Sequence, residues 1–367
     1  MNQNKSASTP GRRLLLTAFA ILIVACPVLT ALAQTEADIS TPEANLPKNK
    51  VLTTITVGAG PNSIVVSPNN DLVYVANLLD NTVSVIDAKT NKIKKGSPYS
   101  ANTAPLSMAI TPDGQELYIS NYTYLESSST VTILNAETGA IVKTVPIPRI
   151  ARYLAITPNG KEVWVPNLSS GSQTGTISVI DTKTKEVNSF ALGAQPESVA
   201  FARRGKTAYV IDAGVEGVGG LYTVNTATKE TIGYISSQYV YGTWCAVNPK
   251  GKKDVYVDYP STINELGFTG ITVVQGGNVA ATISTTEYPA HFAVTKNGRY
   301  LYVPFSNIGI DNFGTTVVMY DTTTYAPVGD PITVGNAPSL VAIAPDQKRA
   351  YVSNFKDGTV SVIDIQP

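Results

Sequence analysis

Chemistry-bearing residues are scarce in this chain of 367 residues. It has one histidine, His291, and two cysteines, Cys26 and Cys245. One imidazole cannot build a multi-histidine metal centre, and no pair of cysteines stands at metal-ligand or redox spacing. Nucleophile-elbow, phosphate-loop and haem-attachment motifs are absent as well. The sequence therefore calls for no cofactor, no metal and no defined catalytic residue. An excess of one charge is also lacking: 27 Lys+Arg balance 27 Asp+Glu. No basic run interleaves with aromatics, so nucleic-acid binding has no support.

Long apolar runs are confined to the start. Arg12 and Arg13 precede an apolar stretch from Leu14 to Leu32, and Ala31-Leu32-Ala33 makes a small-x-small cleavage site before Gln34. Residues 1–33 thus read as an export signal, with no membrane span left after its removal. An uncleaved anchor is the competing reading, since the run is about long enough to cross a bilayer. Ile23-Val24-Ala25-Cys26 also fits a loose lipobox, although Pro27-Val28-Leu29 stays apolar where a lipoprotein turns polar. Residues 34–50 are polar and read as a flexible linker. Loss of Lys5, Arg12 and Arg13 leaves the mature chain with 24 basic and 27 acidic residues. Only Cys245 survives cleavage, so an exported, extracytoplasmic chain (periplasmic, secreted or on the cell surface) has no internal disulfide to rely on. Cys245 lies in an apolar strand and reads as a small buried side chain.

Residues 51–367 are dominated by a repeat. Its first strand opens at Pro61, Pro105, Ala151, Pro196, Gly242, Pro289 and Pro338, spaced 44–49 residues apart. A second strand recurs as Val73-Tyr74-Val75-Ala76-Asn77, Leu117-Tyr118-Ile119-Ser120-Asn121 and Ala350-Tyr351-Val352-Ser353-Asn354, with related versions between. A Pro-Asp-Gly-like turn joins the first two strands, and Asp or Asn followed by x-x-Thr ends the third. Four strands in a repeat of this length describe a propeller blade, which cannot bury both faces alone. The expected fold is all-β: a seven-bladed β-propeller of four-stranded antiparallel blades, monomeric. The last repeat stops after three strands, and Ile55-Thr56-Val57-Gly58 repeats the fourth-strand pattern Ile332-Thr333-Val334-Gly335. The N-terminal strand 51–57 should therefore pair with 359–364 and close the ring, which removes two exposed sheet edges.

Tyr74 to Asn77 followed by Thr82 to Asp87, and again Tyr351 to Asn354 followed by Thr359 to Asp364, resemble the YVTN β-propeller repeat. That repeat occurs in YncE-like exported bacterial proteins and in surface-layer proteins. The resemblance covers 51–367, with departures in blades four to six: Asp212, Tyr259 and Phe305 replace the Asn, and Gln275 replaces the closing Asp. It implies an extracytoplasmic, mostly non-catalytic binding module and supplies no catalytic motif. Lactonases and amine dehydrogenase heavy subunits share the superfamily shape, so fold alone leaves the chemistry open.

Strand order puts the short uniform turns at one end, the bottom. The variable loops and the inter-blade links lie at the top, where blades two to six carry insertions at 122–129, 168–175, 213–220, 260–270 and 306–314. Binding concentrates on such loops. Side chains entering the channel mouth stand one and two positions after each opening residue. Blades three to six thereby bring Arg152, Tyr153, Glu197, Trp244 and His291 together, whereas blades one, two and seven bring mostly small or apolar groups. These five residues are the expected ligand site, suited to a small polar or anionic ligand, a glycan or an envelope protein. A simpler arrangement is an Arg152–Glu197 ion pair between adjacent blades with His291 satisfied locally. A second functional reading is a lactonase-like enzyme, with Glu197 or His291 as base and Arg152 as oxyanion partner. Mass spectrometry of the exported protein tests the processing: an unmodified N-terminus at Gln34 is expected, and an acylated Cys26 would contradict it.

Overall fold

In the strands Leu72–Asn77, Glu116–Asn121 and Arg349–Asn354 every residue after the first is buried. A strand covered on both faces has to lie between two neighbouring sheets. A computed structural model describes residues 47–123, 129–169, 174–215, 218–236, 242–250, 254–259, 269–307 and 313–366. These form seven antiparallel four-stranded sheets, six of them meanders. The outer strand of blade one (Lys92–Ile93, Tyr99–Ser100) and the inner strand of blade three (Ile150–Ala151, Ala155–Ile156) are each in two pieces. The stretch read as an export signal, most of that read as a linker and the central parts of the five top insertions lie outside the described residues. No helix among the described residues is long and apolar enough to cross a membrane.

The apolar clusters straddle the seams between blades. Val73, Val75 and Ile86 of blade one pack with Leu340, Tyr351 and Val360 of blade seven. Tyr74, Ala76 and Val83 turn the other way, against Met108, Leu117 and Ile119 of blade two. The period-2 alternation of each strand thus feeds two seams rather than a core and a solvent face.

Chain closure is as the sequence predicts. Lys50–Thr56 pairs antiparallel with Thr359–Asp364, Thr56 opposite Thr359 and Lys50 opposite Asp364. Pairing begins within the stretch read as linker: Lys48 N donates to Gln366 O at 2.9 Å, and Asn49 Oδ1 accepts from Tyr302 Oη at 2.8 Å. The Asn49 contact belongs to a repeated inter-blade device on the bottom face. The aromatic residue of a second strand grips the turn between third and fourth strands of the next blade. Tyr74 Oη donates to Ala136 O at 2.9 Å. Lys185 Nζ donates to Tyr118 Oη at 2.8 Å and pairs with Glu116. Lys229 Nζ lies 4.6 Å from the Trp164 ring centre and 2.6 Å from Glu162 Oε2. Asn49 occupies the place of that turn in blade seven, supplied from the other end of the chain. Each bond of this kind contributes about 0.5–1.5 kcal/mol.

The recurrent Asn of the second strand bonds hydroxyls of the third, as Asn77 does to Thr82 and Ser84 and Asn354 to Thr359 and Ser361, and in blade two it also anchors the link at the top. Asn121 Nδ2 donates to Ala101 O and Thr103 O, both at 2.7 Å, and its Oδ1 accepts from the Thr130 and Thr132 hydroxyls. Where blade four substitutes Asp212, the link turns its N–H groups inward instead: Ala194 N and Gln195 N donate to the carboxylate, as does Gly214 N in the same strand. An acceptor-only side chain suits that arrangement. At the bottom, the Asp-x-x-Thr turns close locally, with Asp87 Oδ1 accepting from Thr90 N at 2.8 Å and Asp181 Oδ1 from Thr184 N at 2.7 Å.

Two truncations test the closure. Removing residues 34–58 takes away the seventh blade's outer strand and Asn49, and should lower Tm by roughly 10 °C or more. Removing residues 34–48 should leave Tm within a few degrees of the full mature chain. Equal Tm values would contradict the ring.

Candidate functional site

Regularity of the inner strands decides where the mouth carries chemistry. In blades one, two, four and seven the inner strand starts at its opening proline: Pro61–Val66, Pro105–Ile110, Pro196–Phe201 and Pro338–Ile343. Each has a register shift just after that proline, so the next residue is the extra one of a bulge. A bulge re-aims its side chain, and in blade four that side chain is Glu197. Blades three, five and six behave differently. Their regular inner strands resume only at Ala155, Cys245 and Ala293. Two positions after the opening residue they carry Tyr153, Trp244 and His291, where blades one, two and four carry serine. Rings of this size do not fit the narrow ladder near the axis, and the strand yields.

The five residues expected from the sequence form one connected cluster. Arg152 Nε donates to Glu197 Oε2 at 2.5 Å across the blade three–four seam. The guanidinium carbon lies 5.3 Å from the Tyr153 ring centre and 5.8 Å from that of Tyr122. Trp244 and His291 stack at 4.5 Å with planes 15° apart. Tyr153 makes T-shaped contacts with both, at 4.5 Å from His291 and 5.8 Å from Trp244. Offset-stacked and edge-to-face pairs of this kind add about 0.5–1.5 kcal/mol each beyond their buried area.

Hydrogen bonds between blades hold this arrangement. Tyr153 N donates to Glu197 O, and His291 N to Ser339 O, both at 3.0 Å. Trp244 Nε1 donates to Phe292 O at 2.9 Å. Trp244 also packs against the apolar clusters of the blade five–six and the blade seven–one seams, so its indole spans the axis. Glu197 and His291 are buried, whereas Arg152, Tyr153 and Trp244 are half-buried. The mouth is thus a closed floor with a guanidinium at its margin, not an open channel.

Two contributors lay outside the expected five. Asn62 of blade one donates to Leu106 O at 2.8 Å, and its side chain stands beside Tyr153, whose pKa it lowers. Asp258, buried at 3% exposure, accepts from Thr243 N and Trp244 N at 2.8 Å and from the Thr243 hydroxyl at 3.0 Å. A repeat-based signal for Asp258 exists: the same position holds Ala76, Ser120, Pro166, Ile211, Pro304 and Ser353 in the other blades.

Burial governs the protonation of this cluster. It pushes the His291 imidazole down to about 3, helped by the Arg152 charge, so His291 is neutral at physiological pH. Its Nδ1 is buried and has no hydrogen-bond partner. Burial raises the Glu197 carboxyl and Asp212 adds to this, against the pull of Arg152. Asp258 is raised to about 7 by burial, against its three hydrogen bonds, with Glu197 contributing. Burial opposes the Arg152 charge, but the adjacent Glu197 more than restores it and the guanidinium stays protonated. Cys245 is pushed up to about 12 by burial and lies 3.7 Å from the Ser198 hydroxyl, which makes it an inert thiol. No group of acids, histidine and cysteine capable of holding a metal occurs among the described residues.

The neutral His291 sets a testable acid sensitivity. Its folded value lies below the unfolded one of about 6.5, so its contribution to stability is complete above that pH and is lost as pH falls towards 3. Replacement by Phe keeps a ring against Trp244 and removes the titration. Wild-type stability should fall relative to His291→Phe by about 1.4 kcal/mol per pH unit between pH 6 and 4. Parallel denaturation profiles would contradict the burial of this imidazole.

A family model described as "Lactonase, 7-bladed beta-propeller" matches residues 38–191. That stretch contains Arg152 and Tyr153 but ends before Glu197, Trp244, Asp258 and His291. No curated protein matches the chain. Among solved structures, a chain of hydrazine synthase from Kuenenia stuttgartiensis superimposes with a TM-score of 0.73 at 22% identity, covering 84% of this chain and 97% of that one. The β-propeller domain of Cps50 (Swd1) from Myceliophteria thermophila gives 0.68 at 11% identity, with 87% and 100% covered. At such identities the likeness concerns the fold, and the protein is a seven-bladed β-propeller.

Proposed function

We propose that this protein is an exported, non-catalytic binding module whose top-face mouth takes a small hydroxylated molecule of the sugar or sugar-acid class. The observation that carries this reading is the state of Arg152. Its Nε is held by Glu197 and its plane lies near two tyrosine rings, while its terminal Nη groups have no protein hydrogen-bond partner among the described residues. A guanidinium fixed in this way presents donors at little further entropic cost. Beside it, the half-buried Trp244 face, backed by His291, offers an apolar platform for a sugar ring. Glu197 neutralises Arg152, so recognition there rests on directed hydrogen bonds to hydroxyl or carboxyl oxygens rather than on an uncompensated positive charge. The YVTN-like repeat and the signal-like leader support an envelope or cell-surface setting.

A second reading, hydrolysis of a small lactone, draws on the family-model match. In it Arg152 would polarise the carbonyl and Glu197 or His291 would act as base. His291 is a poor candidate, because a group titrating near 3 takes up little proton at neutral pH. Glu197 is already engaged through Oε2.

A thermal-shift screen with monosaccharides, aldonic and uronic acids and their lactones, run beside a lactone-hydrolysis assay, separates the two. Stabilisation without turnover is expected. Arg152→Lys keeps a cation beside Glu197 but removes the fork, and should weaken binding by roughly 10- to 100-fold. Turnover that disappears in Glu197→Gln would overturn the binding reading in favour of the enzyme.

A further inference from the structure

Blade five departs from the repeat at two positions that meet in space. Its opening residue is Gly242, where five blades have proline, and its second strand carries Asp258, where the others have small, apolar or proline residues. A Cβ on residue 242 would overlap both the carbonyl and the carboxylate oxygens of Asp258. The glycine therefore admits the acid, and the acid grips the turn that the glycine begins. Oδ1 receives Thr243 N and Trp244 N, and Oδ2 receives the Thr243 hydroxyl. Trp244 leaves this turn to span the axis, donate to Phe292 O and stack on His291. Two coordinated departures in one blade, converging on the residue that floors the mouth, are specialisation rather than drift.

We propose that Asp258 is a positioning residue for the mouth, and that the gain or loss of its proton changes how firmly the Trp244 platform is held. The inference rests on reading the mouth as the functional site. As a carboxylate, Asp258 makes charge-assisted bonds, which are roughly twice as strong as neutral ones. As the acid, Oδ1 still accepts the two N–H groups while Oδ2 carries the proton and donates to the Thr243 hydroxyl. Both states fit the same geometry, so the change is in stiffness and local field, not in fold. Asn can make the same bonds as the acid, with its amide donating to Thr243, and so copies the protonated state.

Of the groups around Asp258, His291, Tyr153 and Cys245 do not change near neutrality. His291, stacked on Trp244, titrates near 3. Tyr153 and Cys245, which both feel the Asp258 charge, are pushed up to about 12. Glu197 is tied to Arg152, which remains a cation throughout. The single histidine, the usual source of a transition near pH 7, is thus excluded, and the proton belongs to an aspartic acid raised to about 7.

The test uses the intrinsic fluorescence of the full mature protein without any ligand, titrated from pH 5.5 to 8.5. Trp164, fully buried in the blade three–four seam, gives a background common to all variants. Wild type should show a change in emission and in acrylamide quenching with a midpoint near 7. Asp258→Asn should be flat and match the low-pH signal of wild type. Asp258→Ser, the residue of blades two and seven, should raise quenching about twofold at every pH. A flat wild-type profile overturns the proposal, and so does a transition that persists in Asp258→Asn. Should Asp258→Ser not fold, the comparison of wild type with Asn decides alone. A transition lost in Asp258→Asn, alongside a ligand screen that finds nothing, would uphold this inference and sink the binding reading.

Discussion

Every blade has two apolar faces and no means of covering either by itself. That requirement makes seven sheets stack around an axis, makes the strands read as unbroken apolar runs, and makes the closing strand come from the far end of the chain. Closure then matters more than any local bond, because an unclosed seventh blade would leave Val360 and Val362 without the cover of Ile55. The bottom-face grips, such as Lys229 over Trp164 and Tyr302 to Asn49, are small additions to that burial. Their uniform placement shows how the seam geometry repeats even where the side chains differ.

The same constraint explains why chemistry sits where it does. Near the axis the inner strands are close together, and serine or leucine at the second position allows pairing from the opening proline onwards. Blades three, five and six abandon that pairing at Tyr153, Trp244 and His291. Giving up ladder bonds costs stability unless the freed groups find partners, and they do so across blades, as with Tyr153 N to Glu197 O and His291 N to Ser339 O. The mouth is therefore built at the expense of blade regularity on one arc of the ring, while blades one, two, four and seven keep the ladder.

Much of this was legible in the sequence, because a repeat lets positions be compared with one another. Counting one and two residues from each opening residue brought Arg152, Tyr153, Glu197, Trp244 and His291 to one place, and the Ile55-Thr56-Val57-Gly58 echo gave the closing strand. Asn62 stands at the opening of blade one among small residues, yet its amide reaches across to Leu106 of blade two. Asp258 is harder to read, because its neighbour Tyr259 stands in the recurrent Asn position and the informative departure lies one residue earlier. Burial was the least legible property. Nothing in the spacing says that Trp244 crosses the axis or that His291 Nδ1 lacks a partner, since both depend on how rings from three different blades share one space.

On the proposed function, a near-uniform scaffold concentrates recognition on the arc of the mouth between Arg152 and Trp244. Crystals of the protein soaked with a set of small hydroxylated fragments test it most directly. Density lying on the Trp244 face within hydrogen-bond reach of the Arg152 Nη groups is the expected result. Fragments found only in the bottom clefts between blades, such as the one of about 550 Å³ bounded by Arg299, Tyr300 and Lys348, with the mouth empty at saturating concentrations, would contradict it.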